Sequence, residues 1–533
     1  MNEGESRSPR EPWVVWSSAL FNQSGYAEEA RAAVLALDRA GIPVAANPTY
    51  WVPWQKQLPE MVARRLEELV AIEVPERYVH VMHMLPHHYV RAPGAVRHIG
   101  RTMWETETLP PGWADICNSL DEVWVPGDFN LETFARAGVD PRRLRKVPEC
   151  LHLEWYDPPA EPLELPGVSG FVFLAVFAWS LRKGWDVLVR AYLEEFAAED
   201  DVTLAMVVRP FASPVRERLA ELDHFVRHEL RRDPMRSARI IVMESSPDMP
   251  RLYRSVDAYV LPSRGEGWGR PYMEAMASGL PVIASRWSGN LEFMNDQNAY
   301  LIDCQPADVS PEAAREWPWF AGQRWAEPSV EHLRALLRRV RSRPEEARAK
   351  GERARRDIFA SYGLDRVGQL MADLLRDFEP PKALPQRRSR RPHTRPRYGP
   401  GQAEAALSEL EQAARAAPED SGAAYRLAVA YLAVGRTEEG KEELLRALER
   451  TEARGEDSGA HMADAYLLLA SLGLEEDRLI WAAHRARDAV ELDPGLGAAF
   501  TVLADAVEAM GLQVAARQAR IRAAAVAQHE AGC

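Results

Sequence analysis

From Trp13 to about Phe378, short apolar runs alternate with longer segments whose apolar positions recur every three to four residues. Short apolar runs bounded by turn residues read as buried strands, and the longer segments read as amphipathic helices. Strands are predicted at Trp13–Ser17, Ile42–Ala46, Val79–His83, His98–Met103, Val123–Pro126 and Lys146–Pro148. A second series is predicted at Phe171–Phe177, Thr203–Val208, Ile240–Met243, Ala258–Leu261, Val282–Ser285 and Tyr300–Asp303. Between the two series lies the proline-dense stretch Asp157–Gly170, which reads as a linker. The pattern predicts α/β architecture: two doubly wound domains, 13–165 and 166–378, with a ligand cleft at the C-terminal ends of their strands. Residues 1–12 are polar and lack an apolar stretch, so they are expected to be disordered and not to be a signal peptide.

Beyond Phe378 the pattern changes. Residues 379–402 hold the run Gln386–Arg397, with six arginines and two prolines, which cannot bury a core and reads as an extended linker. Such a run is either a solvated spacer or a peripheral contact for anionic lipid headgroups. Residues 403–533 are rich in Ala, Leu, Glu and Arg at helical spacing. Leu469-Ala470 and Leu503-Ala504 stand 34 residues apart, as do Ala413 and Ala447, and Ala489 and Ala523. A 34-residue helix–turn–helix period resembles the tetratricopeptide repeat, and implies an all-α domain that recruits a protein partner or the acceptor. Gly440 departs from the pattern, standing where alanine is usual.

Composition narrows the function classes. A chain of 533 residues is long enough for about three domains. The net charge of −13 argues against a general nucleic-acid binder. The four cysteines, Cys117, Cys150, Cys304 and Cys533, form no C-x-x-C pair, so neither a zinc site nor a disulfide framework is indicated and a reducing cytoplasm is expected. No stretch approaches 18 uninterrupted apolar residues, so no transmembrane helix is expected.

The densest chemistry lies in Arg264–Ala284. Two carboxylates, Glu266 and Glu274, flank a glycine-rich turn, Gly267-Trp268-Gly269, then Arg270 and Pro271, and a buried strand follows. Pro271 suits a first helical turn, where its missing N–H costs nothing. A helix N-terminus behind glycines is an anion site, because unpaired N–H groups and the helix dipole both favour negative charge. A carboxylate one turn into that helix accepts hydrogen bonds from hydroxyls. Phosphate plus polyol points to a sugar nucleotide.

The stretch is similar, almost letter for letter, to the E-G-[FW]-G-x-P-x-x-E-A-M-A-x-G-x-P-V signature of the retaining glycosyltransferases of family 4, which have the GT-B fold. The resemblance implies that Glu266 contacts the donor sugar and that Glu274 binds the nucleotide ribose, with Gly267, Trp268, Gly269 and Arg270 at the donor. It implies metal-independent chemistry with no cofactor, and a last helix, about Leu364–Phe378, crossing back to the first domain. Lys183-Gly184 matches a family pattern, but the arginine usual five residues before it is Ala178 here, so Arg182 substitutes. Two cations at that strand end suit a diphosphate leaving group. Where family members place a cleft histidine this chain has Glu105, with Glu107 as the neighbouring alternative. Ser245 is a candidate for holding the base of the donor nucleotide, and Gly25, at the mouth of the first helix, for a phosphate approach. His80, His83, His87 and His88 cluster after the third strand without a carboxylate pattern and read as a polar cleft rim, not a metal site. Ser288-Gly289-Asn290 reads as a further turn with free N–H groups.

The reading is a retaining glycosyltransferase that moves a hexose from a nucleoside-diphosphate sugar to a polysaccharide, glycolipid or protein hydroxyl, such as a bacterial cell-surface glycan. A scaffold that keeps the fold and works through its repeats, and a nucleotide-sugar hydrolase, are the alternatives.

Overall fold

The computed structural model describes residues 13–21, 24–49, 58–72, 74, 77–89, 92, 95–159, 161–209, 215–244, 248–376, 402–418, 420–454, 459–475, 482, 485–486, 488–490, 496–509, 519–520 and 523. In chain order the first α/β series is β1 (Val14–Ser18), α1 (Gly25–Arg39), β2 (Val44–Pro48), α2 (Glu60–Val70), β3 (Tyr78–His83), β4 (Ala95–Arg101), α3 (Trp113–Asn118), β5 (Glu122–Val125), α4 (Asp128–Arg136) and β6 (Leu144–Lys146). The second is β7 (Phe171–Ala178), α5 (Trp185–Glu195), β8 (Val202–Arg209), α6 (Val215–His224), β9 (Arg239–Glu244), α7 (Met249–Arg254), β10 (Ala258–Leu261), α8 (Arg270–Ala277), β11 (Val282–Ser285) and β12 (Tyr300–Ile302). A hairpin follows, β13 (Cys304–Asp308) and β14 (Arg324–Pro328), with α9 (Pro311–Glu316) between its strands. Three helices close the series: α10 (Val330–Ser342), α11 (Pro344–Ser361) and α12 (Leu364–Arg376).

Each expected strand is present within a few residues of its predicted span. The largest shifts are at β4, which begins three residues early, at β2, which lies two residues downstream, and at β6, which lies two residues upstream. The strands form two six-stranded sheets, in the orders β2-β1-β3-β4-β5-β6 and β12-β11-β10-β7-β8-β9. The described pairings within them are parallel. Parallel strands covered by helices on both faces are apolar throughout, as in β7, whose Phe173, Leu174 and Ala175 are fully buried. In each sheet the order reverses beside one strand, at β1/β3 and at β7/β10, and ligands of such sheets bind at that switch point. This is GT-B architecture.

The described residues form two compact units, one within 1–44, 78–89 and 97–378 and the other within 45–77, 90–96 and 379–533. In the first unit α12 returns to α1, the crossing back expected of the last helix. Gly368 permits it, since a Cβ there would lie 2.2 Å from the Ala36 carbonyl oxygen. Arg97 Nη1, on β4, also donates to the Leu374 carbonyl of α12 at 3.3 Å.

In the second unit the tail is helical: α13 (Gln402–Ala416), α14 (Ser421–Ala433), α15 (Thr437–Arg454), α16 (Gly459–Glu475) and α17 (Gly497–Ala509). The small residues of the 34-residue period lie in its core, with Ala428, Ala447, Ala470, Ala489 and Ala504 fully buried, whereas Ala413 is exposed on α13. Gly440 has a steric reason, because a Cβ there would meet Leu432 Cδ2 at 2.6 Å. The N-terminal segment 1–12 and the arginine-rich run lie outside the described residues. No helix among the described residues is long and apolar enough to cross a membrane.

Candidate active site

Two loops at the β7/β10 switch point build the centre of the site. After β7 the chain makes a short turn, Leu181–Lys183, and enters α5 through Gly184 at φ 66°. A Cβ at Gly184 would stand 2.0 Å from the Pro262 carbonyl oxygen, so only glycine lets this loop lie on the loop after β10. The backbones are joined there by Arg264 N–H to the Arg182 carbonyl at 2.7 Å, and Arg182 Nη1 donates to the Gly265 carbonyl at 2.6 Å. Lys183 Nζ then sits 2.6 and 2.8 Å from the two carboxylate oxygens of Glu266. Thus Arg182, Lys183 and Glu266, predicted separately from the sequence, meet.

The first α/β domain closes on this cluster. Beyond the end of β4 at Arg101 the chain continues through Thr102 to Glu105, and the glycines of the motif pack directly on this segment. A Cβ at Gly265 would lie 2.1 Å from the Glu105 carbonyl oxygen, and one at Gly267 would lie 2.5 Å from Met103 Cγ. Arg182 spans the two carboxylates, with Nη2 3.5 Å from Glu105 Oε1 and Nη1 3.6 Å from Glu266 Oε2. Burial raises the Glu105 carboxyl above its usual range, against the pull of Arg182. Burial would raise Glu266 too, but Lys183 and Arg182 together hold it below the usual value. Desolvation lowers the Lys183 ammonium despite its pairing. Of the two first-domain candidates, Glu105 faces the cluster. Glu107 points away, to Arg324 at 3.3 Å and Arg136 at 3.7 Å.

Helix α8 begins behind Gly269, which takes the left-handed φ of 102°. Glu274 lies one turn in, where Tyr253 Oη donates to its Oε2 at 3.0 Å and Arg270 Nε stands 3.8 Å from its Oε1. Arg270 Nη1 also donates to Glu149 Oε2 at 3.0 Å and to the Cys150 carbonyl at 3.1 Å. Glu149 is 3% exposed. Burial and the nearby Glu29 push its carboxyl up to about 8, against the attraction of Arg270 and Arg101. Its pKa is raised on folding, so the folded chain holds more protons than the unfolded one between the ordinary glutamate value, about 4.3, and about 8. Wild-type stability therefore falls as pH rises through that window, with a slope of at most about 1.4 kcal/mol per pH unit. Glu149→Gln stays neutral, so its melting temperature is expected to gain on the wild type steadily from about pH 5 to about pH 8. A pH-independent difference in thermal unfolding would contradict this.

The remaining candidates take other places. Gly25 opens α1 beside the Ser24 cap, with open space where a Cβ would be, and the neighbouring Tyr26 Oη donates to the Met103 carbonyl at 3.2 Å. Trp268, expected at the donor, is 1% exposed; its indole N–H donates to Met273 Sδ and its ring packs on Phe293 and Tyr362. Its side chain thus wedges the loop from behind. The 288–290 turn also differs from expectation. Gly289 N–H is spent on the Glu266 carbonyl at 2.9 Å, and Ser288 Oγ accepts from Glu266 N–H at 2.9 Å, so this turn holds the Glu266 loop. Ser245 lies outside the described residues. The histidines diverge: His80 bonds Ser17 Oγ at 2.8 Å, His83 stands 3.1 Å from Glu29, and His87 stacks between Trp113 and Trp319. Among the described residues no group of three or more His, Cys, Asp and Glu is placed to hold a metal ion.

Glu149 and the β13–β14 hairpin were not singled out from the sequence. A buried arginine in the motif demands a carboxylate partner, but nothing local says which of the chain's many acids it is. The hairpin strands are short and interrupted by Pro306 and Pro328, which weakens any strand pattern.

Residues 169–315 match the family model for glycosyl transferases group 1, and residues 401–477 match that for the tetratricopeptide repeat. The chain is similar to D-inositol 3-phosphate glycosyltransferase 2 of Catenulispora acidiphila, at 33% identity over 187 residues, 33% of this chain and 43% of that protein. It is also similar to the lipopolysaccharide core biosynthesis mannosyltransferase LpcC of Rhizobium leguminosarum, at 30% identity over 203 residues, 37% of this chain and 49% of that protein. The chain spans less than half the length of each of these two relatives. Among solved structures it resembles Anabaena Alr3699/HepE in complex with UDP-glucose, at 14% identity and a TM-score of 0.47, covering 69% of this chain and 100% of that one. The chain therefore carries a group 1 glycosyl transferase domain in a GT-B architecture, followed by a tetratricopeptide repeat segment.

Proposed function

We propose that this protein is a cytoplasmic retaining glycosyltransferase that moves a hexose from a nucleoside-diphosphate sugar to an acceptor hydroxyl. The observation that carries the reading is the cluster at the strand ends: Lys183 on Glu266, flanked by Arg182, which also reaches Glu105 of the facing domain. Arg182 and Lys183 supply the positive charge that a departing diphosphate needs, so the proposal assigns no metal or organic cofactor. Glu274 takes the ribose hydroxyls, and Glu266 stands beside the sugar. In the transfer, the bond from the anomeric carbon to the phosphate oxygen breaks and a bond to the acceptor oxygen forms on the same face. The acceptor proton goes to the leaving phosphate, so no separate base is required. Glu105, from the opposite domain, offers negative charge to the oxocarbenium-like carbon. The close packing of Gly265 and Gly267 on the first domain keeps water from that centre. The acceptor is a polysaccharide, a glycolipid or a protein, and the repeat segment recruits it or a partner protein. The names of the two relatives, one for inositol phosphate and one for lipopolysaccharide core, leave the acceptor class open.

Incubating the purified chain with a panel of uridine-, guanosine- and adenosine-diphosphate sugars and simple acceptors tests this. Transfer with the donor's anomeric configuration kept, read by proton NMR, is the expected result. Release of free sugar alone would make the protein a hydrolase, and no binding of any donor would make it a scaffold.

A further inference from the structure

We infer that residues 304–328 form a positioning arm that assembles the three loops of the site, with Glu316, Gln323 and Arg324 as its positioning residues; the inference rests on the glycosyltransferase reading above. The arm leaves the second domain after β12, and its strands pair antiparallel from Cys304↔Pro328 to Asp308↔Arg324. Ser329 N–H to the Asp303 carbonyl, at 2.9 Å, closes its base. The family match ends at residue 315, within the arm.

Each loop of the cluster is held by the arm through a different contact. The loop with Arg182 and Lys183 is fixed by Leu181 N–H donating to Glu316 Oε2 at 2.9 Å. The Glu266 loop is fixed by Ala326 N–H donating to the Arg264 carbonyl at 3.1 Å, and by Arg264 Nε on Glu327 Oε2 at 2.6 Å. The Glu105 loop belongs to the other domain, and the arm reaches it through several bonds, one of them Thr106 Oγ1 donating to Gln323 Oε1 at 3.4 Å. Glu107 N–H donates to the Arg324 carbonyl at 2.8 Å, Gln323 Nε2 donates to the Leu109 carbonyl at 3.3 Å, and Arg324 Nη1 stands 3.3 Å from Glu107 Oε2. Aromatic rings seat the tip on the first domain: Phe320 lies 5.2 Å from Trp104, which immediately precedes Glu105, and Trp319 stacks on His87 at 4.9 Å.

The loops come from three separate parts of the chain and two domains, and their charged groups must agree to a fraction of an ångström. A misplacement of about 1 Å at a reacting centre costs about 10²-fold in rate. An element rooted in one domain and seated on the other sets that register. Glu105 then faces Arg182 only when the arm is seated.

The test uses the full chain carrying Gln323→Ala with Arg324→Ala, and separately Trp319→Ala, a residue that is 38% exposed and therefore cheap to truncate. Amide hydrogen exchange across residues 105–109 is expected to quicken by about tenfold or more while β7 and α8 keep their protection. Turnover is expected to fall by about tenfold or more with the donor KM within about threefold, because the donor loops retain their own contacts. The acid limb of the pH–rate profile should move with Glu105. Unchanged exchange at 105–109 in both variants overturns the inference, as does an equal rise across the whole donor sheet. If exchange changes as expected but the wild type transfers no sugar, the arm stands as a positioning element and the glycosyltransferase reading falls.

Discussion

Lys183→Ala is expected to lower the transfer rate by about 10²–10³-fold, the usual cost of removing one positioned group that meets developing negative charge. Its ammonium lies 2.6 and 2.8 Å from the oxygens of Glu266 and is mostly shielded from water. In that setting a cation aimed at a leaving diphosphate acts with little screening. Lys183→Arg keeps the charge but spreads it over a planar fork, so a partial loss, about tenfold, is expected. Stability should move much less than rate. Glu266 has a depressed folded pKa, so its pairing contributes stability above the ordinary carboxylate range, lost as pH falls through the folded value. Removing Lys183 forfeits part of that. Lys183 itself titrates below its unfolded value, a cost to the fold that is present at neutral pH and relieved only as pH rises. The variant removes that cost, so the two effects oppose each other at pH 7. Single-turnover kinetics beside a thermal melt would show it. A rate within threefold of wild type would remove Lys183 from the chemistry.

Glu274→Ala should act on binding. One turn into α8, its carboxylate accepts from Tyr253 at one oxygen and faces Arg270 with the other. Two hydrogen bonds from ribose hydroxyls to a charged group, each worth roughly 1.5–3 kcal/mol, set the expected loss of donor affinity at about 10²-fold or more. The change falls on the donor KM more than on kcat, because the ribose lies away from the bond that breaks. The fold should survive, since Arg270 keeps Glu149 and the Cys150 carbonyl. Glu274→Gln, which retains shape and one acceptor, should lie between. Calorimetric titration with the nucleoside diphosphate alone measures this without an acceptor, and an unchanged dissociation constant would contradict the role.

Much of the fold was legible because its signals are local. Strands of a parallel sheet covered on both faces are apolar runs, and β7, β10 and β11 were found within a residue of their true ends for that reason. The loop Glu266–Gly269 with Pro271 marks its own helix start, since a left-handed glycine and an N-terminal proline are requirements of that turn. Trp268 shows the limit. Its place in the motif suggested a donor contact, but burial against Phe293 and Tyr362 turns its side chain into the core. The arm was missed because its strands derive their order from contacts with distant loops, not from their own periodicity.

The sequence by itself determined the two sheets, the helical tail and the local places of Lys183, Glu266 and Glu274 at the strand ends and the start of α8, because each depends on spacing within one or two turns of chain. Only the tertiary structure decided that Arg182 joins Glu105 to Glu266, that Glu107 is turned away to Arg324, and that Arg270 is answered by Glu149. Those pairings bring together loops about 80 to 220 residues apart, and a charge finds its partner through the folded distance, which no local pattern of residues encodes.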